Sequence, residues 1–379
     1  MEPENDFKDW LNNPKVKKML DAFGEHRYTL MFYGGCVRDI QQHKNPNDFD
    51  IVTSLPTQEV IELLAKSGIE MKMTHPYFES LKTNIEGLSF DIHSFHSPAF
   101  KRQYDPNESF MENVRRFVGR VDLTINTVIC NADGQLFNQF TGREDLKNGL
   151  IRFTRNPERI DTKLDNSINL LRFYRFFAWY AKQEPTPEDL ESLRKGAKQT
   201  ARVPPKRKFS SMHKMLAAPD PCRAVELLEE TGTFPYTFGF KLRSTAALRR
   251  LVELEKAAKW PTGWHVRLAL LLLCANLPYE EALRKLLLLW EVPANTQGWL
   301  EQFGRIHVVR HKQVKRTVGI AGMITFDDLM LVDWALDDHW QHTKDYYLPR
   351  LRSEAHVPAH LPADSTSSED SADTFSSSA

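Results

Sequence analysis

Asp48 and Asp50 stand one residue apart in "NPNDFDIVTS". In a strand, side chains at i and i+2 project from the same face, so these carboxylates would stand side by side with Phe49 turned the other way. Adjacent carboxylates repel unless a positive charge sits between them, and a hard divalent cation such as Mg²⁺ is the usual counter-charge. Taken alone, the pair could also punctuate a turn after "NPN", with Asp48 closing an Asx-turn. The residues upstream favour the metal. "RYTLMFY" reads as a buried strand, Gly34 and Gly35 break it, and "CVRDIQQH" starts a helix with Arg38 one turn in. The first N–H groups of a helix lack partners within it and suit phosphate oxygens. Strand, Gly-Gly turn, helix, then a strand opening on paired carboxylates predict a triphosphate cradle facing a metal site.

The elements that must hold this cradle follow from pattern. Strand-like runs at Tyr28–Phe32, Asp48–Thr53, Phe78–Thr83, Leu88–Phe95 and Asp122–Cys130 alternate with a few helices, one starting at Thr57 as N-cap and stopping at Gly68. After "GLIRF" the sequence turns to helical period, in "NSINLLRFYRFFAWYAK", "KFSSMHKMLAA", "CRAVELLEET", "HVRLALLLLCANL" and "YEEALRKLLLLW". The expected fold is α+β: a small mixed sheet first, an all-helical remainder after it. The 379 residues allow two or three domains, and a hydrophobic content of 41% with 23 Phe and 8 Trp suffices for real cores. The domains expected are 1–150, 151–205, 206–355 and an acidic, Ser-rich, disordered tail at 356–379. Acids and bases balance at 50 each, yet five of the acids and none of the bases fall after residue 352. The rest is therefore mildly basic, which suits a nucleic-acid partner. The richest apolar stretch is too short to span a bilayer, and the polar N-terminus shows no secretory signal. Cys36, Cys130, Cys222 and Cys274 are scattered with no Cys-x-x-Cys pair and read as buried thiols of a cytoplasmic protein.

The run Gly34, Gly35, Val37, Arg38, Asp39, then Asp48 and Asp50, resembles the head signature of the class II tRNA nucleotidyltransferase and bacterial poly(A) polymerase family. Further stretches match in order. In "GLSFDIHSF", Asp91 and His93 share a strand face; Asp91 stands where the family has a Glu, and His96 where it has an Arg. An exposed strand Asp is the alternative reading of Asp91. "GRVDLTIN" is similar to the family's Arg-Arg-Asp-Phe-Thr-Ile-Asn, and "GREDLKNGLIR" follows at the usual distance. The resemblance places Asp122 near the incoming ribose. Val121 replaces the family's second Arg, so either Arg120 takes over part of its work or triphosphate binding is weaker.

"DNSINLLRFYRFF" departs most. Asp165, Asn169 and Arg172 fall on one helical stripe with Arg175 beside them. Arg172 and Arg175 match the family's nucleotide-binding arginines, but Asn166 and Asn169 stand where the family reads the base with Asp and Arg. An amide both donates and accepts, so the rule of base choice is loosened or moved elsewhere. Two basic clusters, with Lys206, Arg207 and Lys208 in the first and Arg310, Lys312, Lys315 and Arg316 in the second, are either grips for an RNA backbone or solvated faces.

By resemblance, then, the fold is a nucleotidyltransferase palm followed by helical neck, body and tail. The implied reaction is template-independent addition of CMP or AMP from CTP or ATP to the 3′ end of RNA, with tRNA the leading acceptor. Asp48, Asp50 and Asp91 would be catalytic, Asp48 and Asp50 holding Mg²⁺. Gly34, Gly35, Arg38, Arg120, Asp122, Asp165, Asn166, Asn169, Arg172 and Arg175 would bind nucleotide. A poly(A) polymerase of the same family, a catalytically weakened RNA-binding relative, or a non-enzymatic scaffold are the alternatives.

Overall fold

The computed structural model describes residues 3–75, 77–155, 167–310, 331–333 and 335–336. The chain forms two compact units. The first runs through residue 155 and takes in 182–184; the second holds 167–181 and the described residues from 185 onward. Residues 356–379, the expected disordered tail, lie outside the described residues.

The first unit is α+β, in the order α1 (Pro3–Leu11), α2 (Pro14–Phe23), β1 (Leu30–Tyr33), α3 (Gly35–Gln41), β2 (Asp48–Thr53), α4 (Thr57–Lys66), β3 (Lys72–His75), β4 (Ser80–Ile85), β5 (Leu88–Ser94), α5 (Phe110–Val118), β6 (Val128–Asn131), β7 (Leu136–Asn138) and α6 (Gly142–Asn148). Among the described residues, its seven strands make one mixed sheet in the order β3-β4-β5-β2-β1-β6-β7. Only β2 and β5 pair in parallel; the other neighbours are antiparallel.

Strand alternation divides the sheet chemically. One face carries Leu30, Phe32, Phe49, Ile51, Phe90 and Ile92, packed with Phe7, Val16 and Met19 from the N-terminal helices and with Val60 and Leu64 of α4. Phe7 meets Phe32 at 5.7 Å between ring centroids and Trp10 meets Phe49 at 5.6 Å, so α1 and its aromatic residues are part of this core. The opposite face carries Met31, Tyr33 and Val52 under Val114, Phe117 and Val118 of α5. Asp48, Asp50, Asp91 and His93 belong to this second face by their register beside Tyr33 and Val52.

Local chemistry adjusts several expected boundaries. The run Asp122–Cys130 is not one strand: Thr124–Asn126 is a 3₁₀ turn and β6 begins only at Val128. The reason is that Asp122 Oδ1 accepts from the Leu123 N–H at 2.9 Å and from Asn126 Nδ2 at 3.1 Å, which curls the backbone before it can extend. Tyr28 and Thr29 likewise belong to a 3₁₀ turn ahead of β1. Pro56, not Thr57, is the N-cap of α4. The Thr57 hydroxyl instead donates to Glu79 at 2.6 Å.

The second unit is helical among the described residues: α7 (Ser167–Tyr180), α8 (Pro187–Gly196), α9 (Pro205–Leu216), α10 (Cys222–Glu230), α11 (Phe234–Phe238), α12 (Ala246–Ala258), α13 (Trp264–Leu273), α14 (Tyr279–Leu289) and α15 (Ala294–Arg310). Its core contains an ion pair. Arg267 Nη2 meets Glu255 Oε2 at 2.6 Å, both side chains 4% exposed, and Arg267 also donates to the carbonyls of Leu216 (2.6 Å) and Ala218. One guanidinium therefore ties α12 and α13 to the end of α9. Replacing it by Met would strand a carboxylate and two carbonyls in the core, at a cost of about 3–5 kcal/mol. The exposed pair Lys195–Glu191 is worth less than about 1 kcal/mol. Arg267→Met should therefore lower the denaturant midpoint far more than Lys195→Ala, as read by urea unfolding followed through circular dichroism.

Candidate active site

The site begins with register. β2 and β5 run in parallel with Asp48 opposite Ser89, Asp50 opposite Asp91 and Val52 opposite His93. Asp50 also faces Tyr33 on β1, and Asp91 faces Lys82 on β4. One row across four strands thus reads Tyr33, Asp50, Asp91, Lys82. Asp50 is 6% exposed and Asp91 1%, with Asp48 half-buried at the strand entrance. The reading of Asp91 as an exposed strand residue is overturned. Its carboxylate accepts from the Ser80 hydroxyl, and His93 Nε2 lies 3.5 Å away. One donor atom each from Asp50, Asp91 and His93 can be chosen so that all lie within 4.8 Å of one another.

The electrostatics of this row follow from burial. Burial raises the Tyr33 hydroxyl well above the ordinary phenol value, and the charges of Asp50 and Asp91 push it further. Tyr33 therefore faces the carboxylates as a neutral phenol. Burial lowers the His93 imidazole, partly opposed by the charge of Asp91.

Two tight turns let the backbone approach. Gly34 has φ +72°, and a Cβ there would meet Asp50 Oδ2 at 3.2 Å. A side chain at this position would be strained and would crowd the carboxylate. Gly35 follows as the first residue of α3. Gly142, at the head of α6, is tighter still: its Cβ would lie 2.3 Å from the carbonyl oxygen of Thr124. Only glycine lets α6 sit directly on the 3₁₀ turn.

Arg38 is a strut of this architecture. Its guanidinium donates to Asp39 Oδ1 from Nε at 3.0 Å and to Asn126 Oδ1 from Nη1 at 2.7 Å. Asn126 passes the contact on to Asp122, which is 3% exposed. A parallel lock holds the other end of the segment. Asp145 on α6 accepts from Thr124 Oγ1 at 2.6 Å and pairs with Arg152, Nη2 to Oδ1, at 2.7 Å. Asn126 and Asp145 stand within the stretches that carry the resemblance, but their spacing from Arg38 and Arg152 in the sequence carries no signal of contact.

The remaining candidates fall in different surroundings. Arg120 donates to the Ala99 carbonyl and to Gln103 Oε1, both at 3.1 Å, with its guanidinium 5.1 Å from the Phe100 ring centre. Val121 is fully buried in the core beneath α5, an apolar setting for the position of the missing Arg. His96 Nε2 lies 3.0 Å from the Ser54 carbonyl.

In the second unit, Asn169, Arg172 and Arg175 of α7 are 8%, 3% and 3% exposed. The polar stripe is therefore not a solvated helix face. Both guanidiniums lie against the Phe176 ring, at 5.3 and 4.4 Å from its centre. Asn169 Oδ1 accepts no hydrogen bond among the described residues. Asp165 and Asn166 lie outside the described residues.

The basic clusters divide. Lys206 is exposed and Arg207 half-buried, but Lys208 is a correction: it is 1% exposed, with Nζ 3.4 Å from the Ala201 carbonyl. It falls on the buried side of α9, as Ser211 and Met212 do, and burial lowers its ammonium. It is a core lysine and not a grip on RNA. Arg310 ends α15, while Lys312, Lys315 and Arg316 lie outside the described residues.

Comparison with known proteins fits this geometry. The poly A polymerase head domain matches residues 30–152, and the probable RNA and SrmB-binding site of polymerase A matches residues 184–239. The CCA-adding enzyme of Geobacillus stearothermophilus is 26% identical over 277 residues, covering 73% of this chain and 65% of that protein. The mitochondrial CCA tRNA nucleotidyltransferase 1 of Danio rerio is 26% identical over 223 residues, 58% of this chain and 51% of that one. The chain thus spans between half and two thirds of the length of these relatives. A solved structure of the Thermotoga maritima CCA-adding enzyme complexed with tRNA shares the fold, with TM-score 0.64 at 16% identity over 94% of this chain and 88% of that one. The first family match runs from β1 past α6 and encloses the Gly-Gly turn, the carboxylate row and both locks, and the second covers α8 to α11. Both matches support the resemblance of this chain to the class II tRNA nucleotidyltransferase and poly(A) polymerase family.

Proposed function

We propose that this protein transfers a nucleoside monophosphate from CTP or ATP to the 3′-hydroxyl of RNA, with the tRNA 3′ end as acceptor. The observation that carries the reading is the parallel register of β2 and β5, which sets Asp50 opposite Asp91 with Asp48 on the same face. Three carboxylates beside a glycine turn are the hard-oxygen donor set that Mg²⁺ takes. Asp48 and Asp50 would hold the ion, with Asp91 alongside. An ion held there would supply Lewis acidity toward the RNA 3′-hydroxyl and positive charge for the departing pyrophosphate.

The chain's own groups supply positioning. The turn at Gly34 and Gly35 brings backbone N–H groups to the triphosphate with no side chain in the way. Arg38, oriented by Asp39 and Asn126, adds positive charge beside them and keeps Asp122 in place for the ribose. Arg120 is the remaining arginine of the pair that the family uses on the nucleotide. Asn169, Arg172 and Arg175 are assigned to the nucleotide on the match of their helix to the family's. Lys206 and Arg207 are offered to the RNA backbone, where charge matters more than geometry. The names of the relatives and the tRNA held by the Thermotoga neighbour support tRNA as acceptor. Four buried thiols suit a reducing cytoplasm.

The test is incorporation of labelled CTP or ATP into tRNA lacking its 3′ end, against an unrelated RNA with a free 3′-hydroxyl. Preference for the truncated tRNA, with synthesis ending after a few residues, supports the reading. Long AMP tails on either RNA would make the protein a poly(A) polymerase, which would use the same residues.

Asp48→Asn and Asp50→Asn should each lower incorporation by about a thousandfold or more, since each removes a charged ligand worth several kcal/mol in the transition state. Their melting temperatures should stay near that of the unchanged protein, because each change relieves repulsion. Near-normal turnover in either variant would sink the metal assignment.

Base choice gives a second test. A charge-assisted hydrogen bond exceeds a neutral one by about 1 kcal/mol, so an amide at residue 169 should relax the choice between ATP and CTP by roughly fivefold to tenfold. Asn166→Asp combined with Asn169→Arg should restore it, in single-turnover incorporation of each nucleotide. Thousandfold selection by the unchanged protein would place base reading on other residues.

A further inference from the structure

The transfer reaction leaves one buried group at the site unused. His93 is 2% exposed, two residues along β5 from Asp91 and on the same face. Its Nε2 stands 3.5 Å from Asp91 Oδ1. That is longer than a good N–H···O bond, at about 2.7–3.2 Å. It is close to the separation of two donors bound to one ion at about 2.0–2.2 Å each. One carboxylate oxygen of Asp50 closes the group, so that three donor atoms, one from each residue, lie within 4.8 Å of one another.

The composition of this group differs from that of the Asp48–Asp50 pair. Those two offer only carboxylate oxygens. Asp50, Asp91 and His93 offer two carboxylates and an imidazole. Mg²⁺ dehydrates reluctantly and takes oxygen ligands, whereas nitrogen donors favour first-row transition ions. We infer that His93 is a metal ligand, and that with Asp50 and Asp91 it makes a second ion position, beside the one at Asp48 and Asp50, that is selective for a divalent transition-metal ion such as Mn²⁺ over Mg²⁺. This rests on the reading of the carboxylate row as a metal site. The position between Asp48 and Asp50 stays all-oxygen and indifferent to the substitution of His93.

The experiment uses the full chain without a polyhistidine tag. Mn²⁺ is added at substoichiometric amounts, and pulsed electron paramagnetic resonance reads whether an imidazole nitrogen is bound to it. The expected result is a ¹⁴N coupling in the unchanged protein that disappears in His93→Gln. The Mn²⁺ affinity of that variant should fall roughly tenfold, with Mg²⁺ affinity changed less than about twofold. A protein whose bound Mn²⁺ shows no nitrogen coupling, or a coupling that survives in His93→Gln, overturns the inference and leaves His93 as packing against Tyr33. If the variant fails to fold, the unchanged protein grown with ¹⁵N-histidine reads the same ligand through the isotope change, and a spectrum insensitive to the label overturns it equally. Incorporation of CMP or AMP with Mg²⁺ is measured separately. Nitrogen coupling with no incorporation under any condition would keep the metal position and discard nucleotidyl transfer; incorporation without coupling would do the reverse.

Discussion

Two aspartates facing each other across a parallel strand pair set the terms for the rest of the first unit. Asp50 and Asp91 are nearly buried, and their donor atoms can come within 4.8 Å. At an effective dielectric of about 20, two like charges at that distance repel by roughly 3 kcal/mol. A domain is stable by only about 5–15 kcal/mol, so this is a large fraction to hold in one contact. The sheet tolerates it because the opposite face is a dense aromatic and aliphatic core, from Phe7 and Trp10 through Phe32, Phe49 and Phe90. Hydrophobic burial on one side holds the strands in a register that electrostatics on the other side opposes. A cation between the carboxylates would relieve the repulsion, and this is the physical basis for proposing that the row binds a metal.

The parts around the row act as fixed distances. Gly34 lets the turn pass against the Asp50 carboxylate, and Gly142 lets α6 rest on the Thr124 carbonyl. Arg38, Asn126 and Asp122 form one polar chain, and Asp145 with Arg152 forms another, and the two meet at the 3₁₀ turn Thr124–Asn126. A network of charge-assisted bonds in a poorly hydrated setting is stiff, because releasing any one group leaves its partner unsatisfied. Pre-set geometry of this sort is what phosphoryl transfer needs, since there the protein's work is orientation and charge placement.

The helical unit shows the same economy with different chemistry. Arg172 and Arg175 lie over one aromatic ring, and the Tyr174 hydroxyl shares hydrogen bonds with the hydroxyls of Thr231 and Thr233 at 2.7 and 2.9 Å. Burial holds the Tyr174 hydroxyl up at about 12, so it remains a neutral donor. Asn169 keeps an acceptor oxygen within this buried stripe. An amide there carries neither the fixed charge nor the donor-only face of a guanidinium, so this stripe differs in polarity from one that carries an Arg at residue 169.

The sequence by itself determined the parts whose logic is local. Period-2 alternation put Asp48 and Asp50 on one strand face, the Gly-Gly break marked the turn, and helical period marked the second unit, because these depend only on residues a few positions apart. The resemblance to a family, too, was legible, since the motifs that carry it are contiguous runs. What tertiary structure decided was everything that joins distant residues. The pairing of Asp50 with Asp91, 41 positions apart in number, is a fact of strand register. So is the approach of Arg38 to Asn126, which lies 88 residues away. The curl of Asp122–Asn126 escaped because alternating apolar residues read as a strand until a side chain claims the backbone N–H. The burial of Lys208 escaped for a related reason: a run of Lys and Arg shows how much charge a segment carries, and only packing decides which side of α9 faces the core. His93 was visible as a neighbour of Asp91, but its convergence with Asp50 required the pairing of β5 with β2.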